Sequence, residues 1–218
     1  MCGRNLFYGS VAPAGDVRGF PDDARRNAGF QLRRVQQGLE PNDWKPMPTI
    51  GSGVREIRIH TDLEHRVFYV ATFSEAVYVL HAFEKRTRKT PPRELQLARE
   101  RLGGLLMRRR GTAMPTKNRI KVTKSSGNVF RDLGFPPEEA EHLLIRADLL
   151  IQVEKAIASK RLKQAQVAKI LHVSQPRVSD LRRGRLHLFS TDTLIDMLAR
   201  LGIHVQFVVK PSRRRNVA

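Results

Sequence analysis

Four cationic side chains, Arg58, Arg66, Lys85 and Arg86, lie on or just beyond stretches with the alternation of β-strands, and Tyr69 and His81 lie among them. That set permits metal-free cleavage of RNA. Cutting RNA without a metal has the 2′-hydroxyl attack the adjacent phosphate, so the crowded phosphorane needs cations and the two oxygens need proton transfer. A guanidinium fork matches two phosphate oxygens, and Arg58 and Arg66 form a cationic cradle if they share a sheet face. His81 is the candidate general acid or base and Tyr69 its candidate assistant. A half-buried strand histidine with a satisfied ring is the competing reading of His81. Arg55, Arg88, Lys89 and Arg93 are candidates for gripping RNA phosphates, against the plain alternative of a solvated charge run. His60 and His65 flank a turn and read as surface, and Trp44 reads as a core plug rather than a base-stacking platform. No metal and no cofactor are expected, because the acidic residues form no intrastrand cluster and the histidines lack ligand spacing.

The elements that must carry these residues follow from periodicity. Asn5–Tyr8 could be a short strand, followed by VAPAG at residues 11–15. Pro21 with Asp22 and Asp23 opens a helix whose apolar face is Ala24, Ala28, Leu32 and Val35, and Gly38 closes it. After a proline-rich loop, Val54–Ile59, Val67–Thr72 and Ala76–Phe83 read as strands. Their connections are of hairpin length, which predicts an antiparallel meander. Pro91-Pro92 opens a second helix that runs out by Arg108–Arg110. Gly111–Asn128 is poor in large apolar groups and reads as a linker or extended arm. From Pro136 the pattern is helical, ending in an alternating strand-like stretch, Ile203–Val209, and a basic tail. The expected fold class is therefore α+β: an N-terminal unit of helices plus a small antiparallel sheet, then a mostly α-helical domain with a C-terminal strand. The expected boundaries are 1–107, a linker over 108–128, 129–210 and a tail over 211–218.

The second unit carries its own chemistry. Gln164–Leu171 and Gln175–Arg183 are short helices separated by a turn at His172-Val173, with Ala168 at the close crossing. Ser174 is a good N-cap, and Pro176 sits in the first turn, where a missing N–H costs nothing. With Val178 and Leu181 inward, Gln175, Arg177, Ser179 and Arg182 are expected to face out, able to reach base edges in a major groove. Lys163, Gln164, Arg183 and Arg185 are better placed for phosphates, and Ser174 completes the candidate DNA-binding set.

Charge agrees with polyphosphate partners. The chain has 40 Lys+Arg against 21 Asp+Glu, a net charge of +19. Both halves share the excess: residues 1–110 hold 20 basic and 12 acidic side chains, residues 111–218 hold 20 and 9. A lone cysteine, Cys2, excludes an internal disulfide and a multi-cysteine zinc site. No signal peptide or membrane span is apparent, and a reducing cytoplasmic setting with no membrane partner is expected.

The stretch Gln164–Gly184 resembles the Cro/repressor (XRE-type) helix-turn-helix family, departing from it at His172, where glycine is common. SSGNVFRDLGFPPEEAEHLLIRADLL (Ser125–Leu150) and LARLGIHVQFVV (Leu198–Val209) resemble the opening and close of HigA-like antitoxins. Phe20–Leu102 resembles HigB-type toxins of the RelE superfamily through WKPMP, VREIRI, RVFYV and LHAFEKRTRKTP. The resemblance implies a metal-independent endoribonuclease acting on mRNA at the ribosome, fused to an antitoxin that restrains it, binds operator DNA and dimerises through its C-terminal segment. The acidic group Glu138, Glu139 and Glu141 could plug the arginine cradle. The alternative is a transcriptional regulator whose toxin-like domain is catalytically inactive and serves only for docking.

Overall fold

The computed structural model describes residues 7–10, 15–111 and 123–208. Residues 11–14, most of the expected linker, Val209 and the basic tail lie outside that set. In the N-terminal half, β1 (Phe7–Ser10), α1 (Gly15–Arg18) and α2 (Asp22–Gln36) precede the strands β2 (Trp44–Pro46), β3 (Val54–His60), β4 (Glu64–Val70) and β5 (Ala76–Glu84). Helix α3 (Pro92–Arg109) follows. The C-terminal half consists of β6 (Thr123–Lys124), α4 (Val129–Asp132), α5 (Pro137–Ser159), α6 (Gln164–Leu171), α7 (Gln175–Arg182), a 3-10 turn at Leu186–Leu188 and α8 (Thr191–Arg200).

The meander is present: β2, β3, β4 and β5 are joined antiparallel in sequence order. Two additions enlarge it. β1 pairs parallel to β5, and β6 pairs antiparallel to β1 through Gly9–Lys124 and Ser10–Thr123, giving the order β2-β3-β4-β5-β1-β6. The segment after α3 thus returns to the sheet edge.

Helix α2 decides how the halves meet. One side of it packs on Ile57, Ile59, Val67, Val77 and Val79 of the sheet. Its other side is buried as well, because Phe30, Gly29 and Leu32 are covered by α4, α5 and the segment after α7. A single apolar cluster therefore runs from the sheet through α2 into Phe130, Leu143, Leu150, Leu181 and Leu198 of the C-terminal half. Glycine permits the closest approach: a Cβ on Gly29 would stand 2.5 Å from the Phe130 ring. The polar seam is equally specific. Arg33 donates to both Asp148 carboxylate oxygens at 2.7 and 2.8 Å, Arg34 pairs with Glu154, and Arg26 reaches Glu139 at 2.9 Å.

The opposite face of the sheet holds a second, smaller cluster, in which Met47, Val54, Phe68, Tyr78 and Leu80 lie against Ala98, Leu102 and Leu105 of α3. One expectation fails here. Ile203–Val208 forms no strand, and Phe207 and Val208 are 62% and 78% exposed. A strand needs a neighbour to accept its ladder, and among the described residues of one chain none flanks this segment.

Candidate functional site

The β3–β4 register sets Arg58 opposite Arg66, so the two arginines share a face, the one that also carries Glu56, Phe68 and His81. They do not form an open cradle. Glu56 is 1% exposed and sits between them, with its Oε1 3.2 Å from Arg58 Nε, 3.6 Å from Arg66 Nε and 3.6 Å from Lys45 Nζ. Arg66 is buried and spends its remaining donors on Glu64 at 2.7 Å and the His65 carbonyl at 2.8 Å. A buried carboxylate among three cations lowers their mutual repulsion and fixes their geometry, at the cost of the free charge a phosphate would meet.

His81 lies on the same face under α3. Its Nδ1 meets Asp16 at 2.7 Å, its Nε2 is hydrogen-bonded to Glu94, and the residue is 6% exposed. Arg101 completes the cluster, donating to Asp16 at 2.5 Å and to the Leu80 carbonyl at 2.9 Å. Burial raises the pKa of Asp16, but the hydrogen bonds from His81 and Arg101 outweigh it, and the carboxyl is held below its ordinary value. Buried at 6% exposure with α3 overhead, His81 is out of a substrate's reach in this arrangement. Its satisfied-ring reading describes the geometry.

Tyr69 is not placed to assist His81: it is three residues from Arg66, and in a strand odd spacing means the opposite face, which Arg55, three residues from Arg58, shares. Tyr69 is fully buried in the α2-side core, where burial pushes the phenol's pKa up, with Arg55 opposing. Arg55 stacks over Trp44 at 4.4 Å and approaches Glu40 at 3.6 Å. His65, expected at the surface, is 1% exposed against Phe20, and its pKa is lowered by burial.

His60 is the accessible histidine of the arginine face. Its side chain is 53% exposed, with Asp43 at 2.8 Å on Nε2 and Glu64 at 2.7 Å on Nδ1. Partial burial opposes its charged form, but those two carboxylates prevail and its pKa is raised. Beyond β5, Lys85 donates to the carbonyls of Thr87 and Arg88, tying the loop into a tight turn, while Arg86 pairs with Glu84. Arg86, Arg88, Lys89 and Arg93 stand exposed around that loop. The acidic group of α5 is elsewhere. Glu139 pairs with Arg26 and Glu141 accepts from Asn128 at 3.2 Å, so these two engage α2 and the α4 cap rather than the arginines of the sheet.

In the C-terminal half, α6 and α7 have the expected layout. His172 adopts the left-handed conformation, φ 52° and ψ 43°, which accounts for the preference for glycine at such a turn. Ser174 caps α7 by accepting from the Arg177 N–H at 3.4 Å. Lys163, Ser174, Gln175, Arg182 and Arg183 are exposed; Gln164 and Ser179 are half-buried. Gln164 donates to the Gln175 carbonyl at 2.9 Å, which ties the two helices together. Arg177 does not face out: it folds back on the Leu188 carbonyl and stacks over Phe189 at 4.3 Å.

Several residues of these sites were not singled out from the sequence. Glu56 had a signal, since it stands two residues from Arg58 and so on its face. Asp16, Glu94 and Arg101 had none, because only the tertiary fold brings them to His81.

A profile of the phage-derived Gp49-like proteins matches residues 15–103, and one for a helix-turn-helix domain matches residues 129–210. No curated protein matches the chain. No helix among the described residues is long and apolar enough to cross a membrane.

Proposed function

Because the chain is a Gp49-like, HigB-type toxin domain fused ahead of a HigA-like helix-turn-helix domain, we propose that it is a single-chain toxin–antitoxin. The N-terminal domain is a metal-independent endoribonuclease for ribosome-bound mRNA. The C-terminal domain restrains it, binds operator DNA as a dimer and represses its own transcription in the cytoplasm. One observation carries the restraint: α2 is buried by the sheet on one side and by the helix-turn-helix half on the other. The halves are thus one packed body rather than two beads on a linker.

For the chemistry, the accessible edge of the arginine face supplies Arg58 as cation and His60 as proton donor, with the exposed loop Arg86–Lys89 gripping RNA phosphates. His60 takes the role first given to His81, because it combines exposure with a raised pKa on the face that Arg58 occupies. A positioned acid of this kind contributes roughly 10²–10⁴-fold. Arg66, Lys85 and His81 hold the scaffold: Arg66 through Glu56, Lys85 through its loop, His81 through α3. The regulator reading draws on a specific observation too, the neutralisation of Arg66 by buried Glu56 and by Glu64.

Induction of residues 1–111 beside the whole chain separates the two. Growth arrest and mRNA cleavage by the fragment, absent from the whole chain and abolished by His60→Ala, are expected. A soluble, folded fragment that leaves growth and mRNA intact would establish the regulator instead.

A further inference from the structure

The two halves meet along an open cleft of about 400 Å³ whose walls carry unusual charge. From the sheet edge come Arg58, His60 and Asp43; from the end of α7 and the turn beyond it come Arg182, Arg183 and Arg185. Four guanidinium groups thus face one carboxylate, and that carboxylate already accepts from His60 at 2.8 Å. Arg185 is partnered by Asp180 at 3.1 Å and Arg58 by Glu56 at 3.2 Å and Asp43 at 3.8 Å, whereas Arg182 and Arg183 make no ion pair among the described residues. Convergent cations with so little internal compensation create a local potential that an anion relieves.

We propose that this cleft binds the phosphate backbone of duplex DNA, so that the toxin domain is itself part of the DNA-binding surface. The inference rests on the DNA-reading role assigned above to α7. The occupant follows from position. Arg182 and Arg183 close the same helix whose first turn exposes Ser174 and Gln175, and an eight-residue helix spans only about 12 Å. A duplex presents one charge per roughly 1.7 Å along its axis, a continuous line able to run from that helix to the neighbouring sheet edge. The toxin domain also fixes the end of α7. Asn42 donates to the Arg182 carbonyl at 2.7 Å, and Gly184 lies against Phe30 of α2 so closely that a Cβ there would be 2.3 Å from its ring. The walls of the cleft are therefore held in register before any ligand arrives. Since Arg58 belongs both to this cleft and to the arginine face, bound DNA withdraws it from RNA. Promoter occupancy and nuclease silence become one event.

The test is binding of the full chain to a fluorescent 30-base-pair duplex of mixed sequence, by anisotropy across 50–300 mM KCl. Each lost phosphate contact lowers the slope of log K against log salt by about 0.9. Arg58→Gln and Arg183→Gln are expected each to do so. Arg99→Gln, the same charge change on α3 far from the cleft, is expected to leave the slope in place. Arg58→Lys keeps the slope and reports on folding. His60→Gln at pH 6, at a side chain exposed enough to tolerate it, gives a second reading from the toxin side in the same direction. Wild-type binding with Arg58→Gln and His60→Gln indistinguishable from Arg99→Gln overturns the proposal. Slope losses seen only with a single-stranded 30-nucleotide RNA overturn it in favour of RNA. A wild-type chain that does not bind the duplex removes the DNA reading of α7 itself, and the inference with it.

Discussion

Replacing Phe130 by alanine tests whether the halves are one cooperative body. Phe130 lies outside the N-terminal domain in sequence, yet it is fully buried, packed against Gly29 of α2 and edge-on to Phe135 at 6.2 Å between ring centres. Gly29 has no side chain with which to refill the space, so the cavity persists. A buried Phe→Ala change of this kind costs roughly 3–5 kcal/mol. With a urea dependence of about 3 kcal/mol/M, at the top of the range for small proteins, the midpoint falls by roughly 1–1.7 M. The chain provides two independent reporters. The single tryptophan, Trp44, sits on β2 in the N-terminal half, while far-ultraviolet ellipticity is weighted toward the helical C-terminal half. If the shared core is continuous, both probes give one coincident transition, and Phe130→Ala lowers both midpoints equally. A Trp44 midpoint that stays put while the ellipticity midpoint drops refutes the argument.

Gly184→Ala forces a left-handed φ of 68° on an L-residue and drives a Cβ into Phe30, so a loss of about 2–5 kcal/mol is expected by urea unfolding. A loss below about 1 kcal/mol would show that Phe30 yields freely. His60 has a raised folded-state pKa, so the stability it contributes is fully present below pH 6.5 and lost as pH climbs through the higher folded value. His60→Gln is expected to remove that pH-dependent increment, read as the difference in urea midpoint between pH 5.5 and 8. Asp16 is the mirror case: its lowered pKa gives stability present above pH 3.8 and lost as pH falls through the folded value. Asp16→Asn should flatten the acid limb of the stability profile, and an unchanged limb would sever Asp16 from His81 and Arg101. Phe207, 62% exposed, is expected to be covered in a dimer, so Phe207→Glu should give monomers by sedimentation where the wild type is dimeric. A monomeric wild type would end that reading.

What the sequence disclosed divides along physical lines. The β3–β5 meander and the α6–α7 pair were legible because hairpin spacing, the Ser174 cap and apolar periodicity are local signals. Strand parity was legible too, and decisive: counting from Arg58 and Arg66 separates Arg55, His65 and Tyr69 from the arginine face without any coordinates. The parity of His81 was harder to read. Val79 and His81 oppose consecutive residues of β4, so the strand bulges at Leu80, and alternation counted through it puts His81 on the wrong face. The parallel seating of β1 on β5, the return of β6 and the Asp16–His81–Glu94 cluster depend on contacts between distant segments, and no local pattern encodes those. Nor could composition show that the arginines of α2 hold the C-terminal half. Arg33 and Arg34 find Asp148 and Glu154, residues more than 100 positions away in sequence.

The position of the halves constrains how a fused antitoxin could act. The C-terminal half seats on α2, behind the sheet, while Arg58, Arg66 and Glu56 lie on the other face, with Arg58 at the edge that the cleft reaches. A plug of α5 carboxylates is incompatible with that arrangement, since Glu139 is spent on Arg26. Under the proposed function, restraint would work either by bulk, denying a ribosome-bound message access to the open edge, or by engaging Arg58 through the cleft it shares with α7. The two make different demands on sequence. Bulk tolerates any substitution that preserves the α2–α5 seam. Engagement depends on the few cations of the cleft and weakens with salt, because charge attraction across a solvent-filled gap is screened within about 8–10 Å at physiological ionic strength. A restraint that loosens as salt rises, with the fold intact, would place control at the cleft; one indifferent to salt would place it in the core that Phe130 completes.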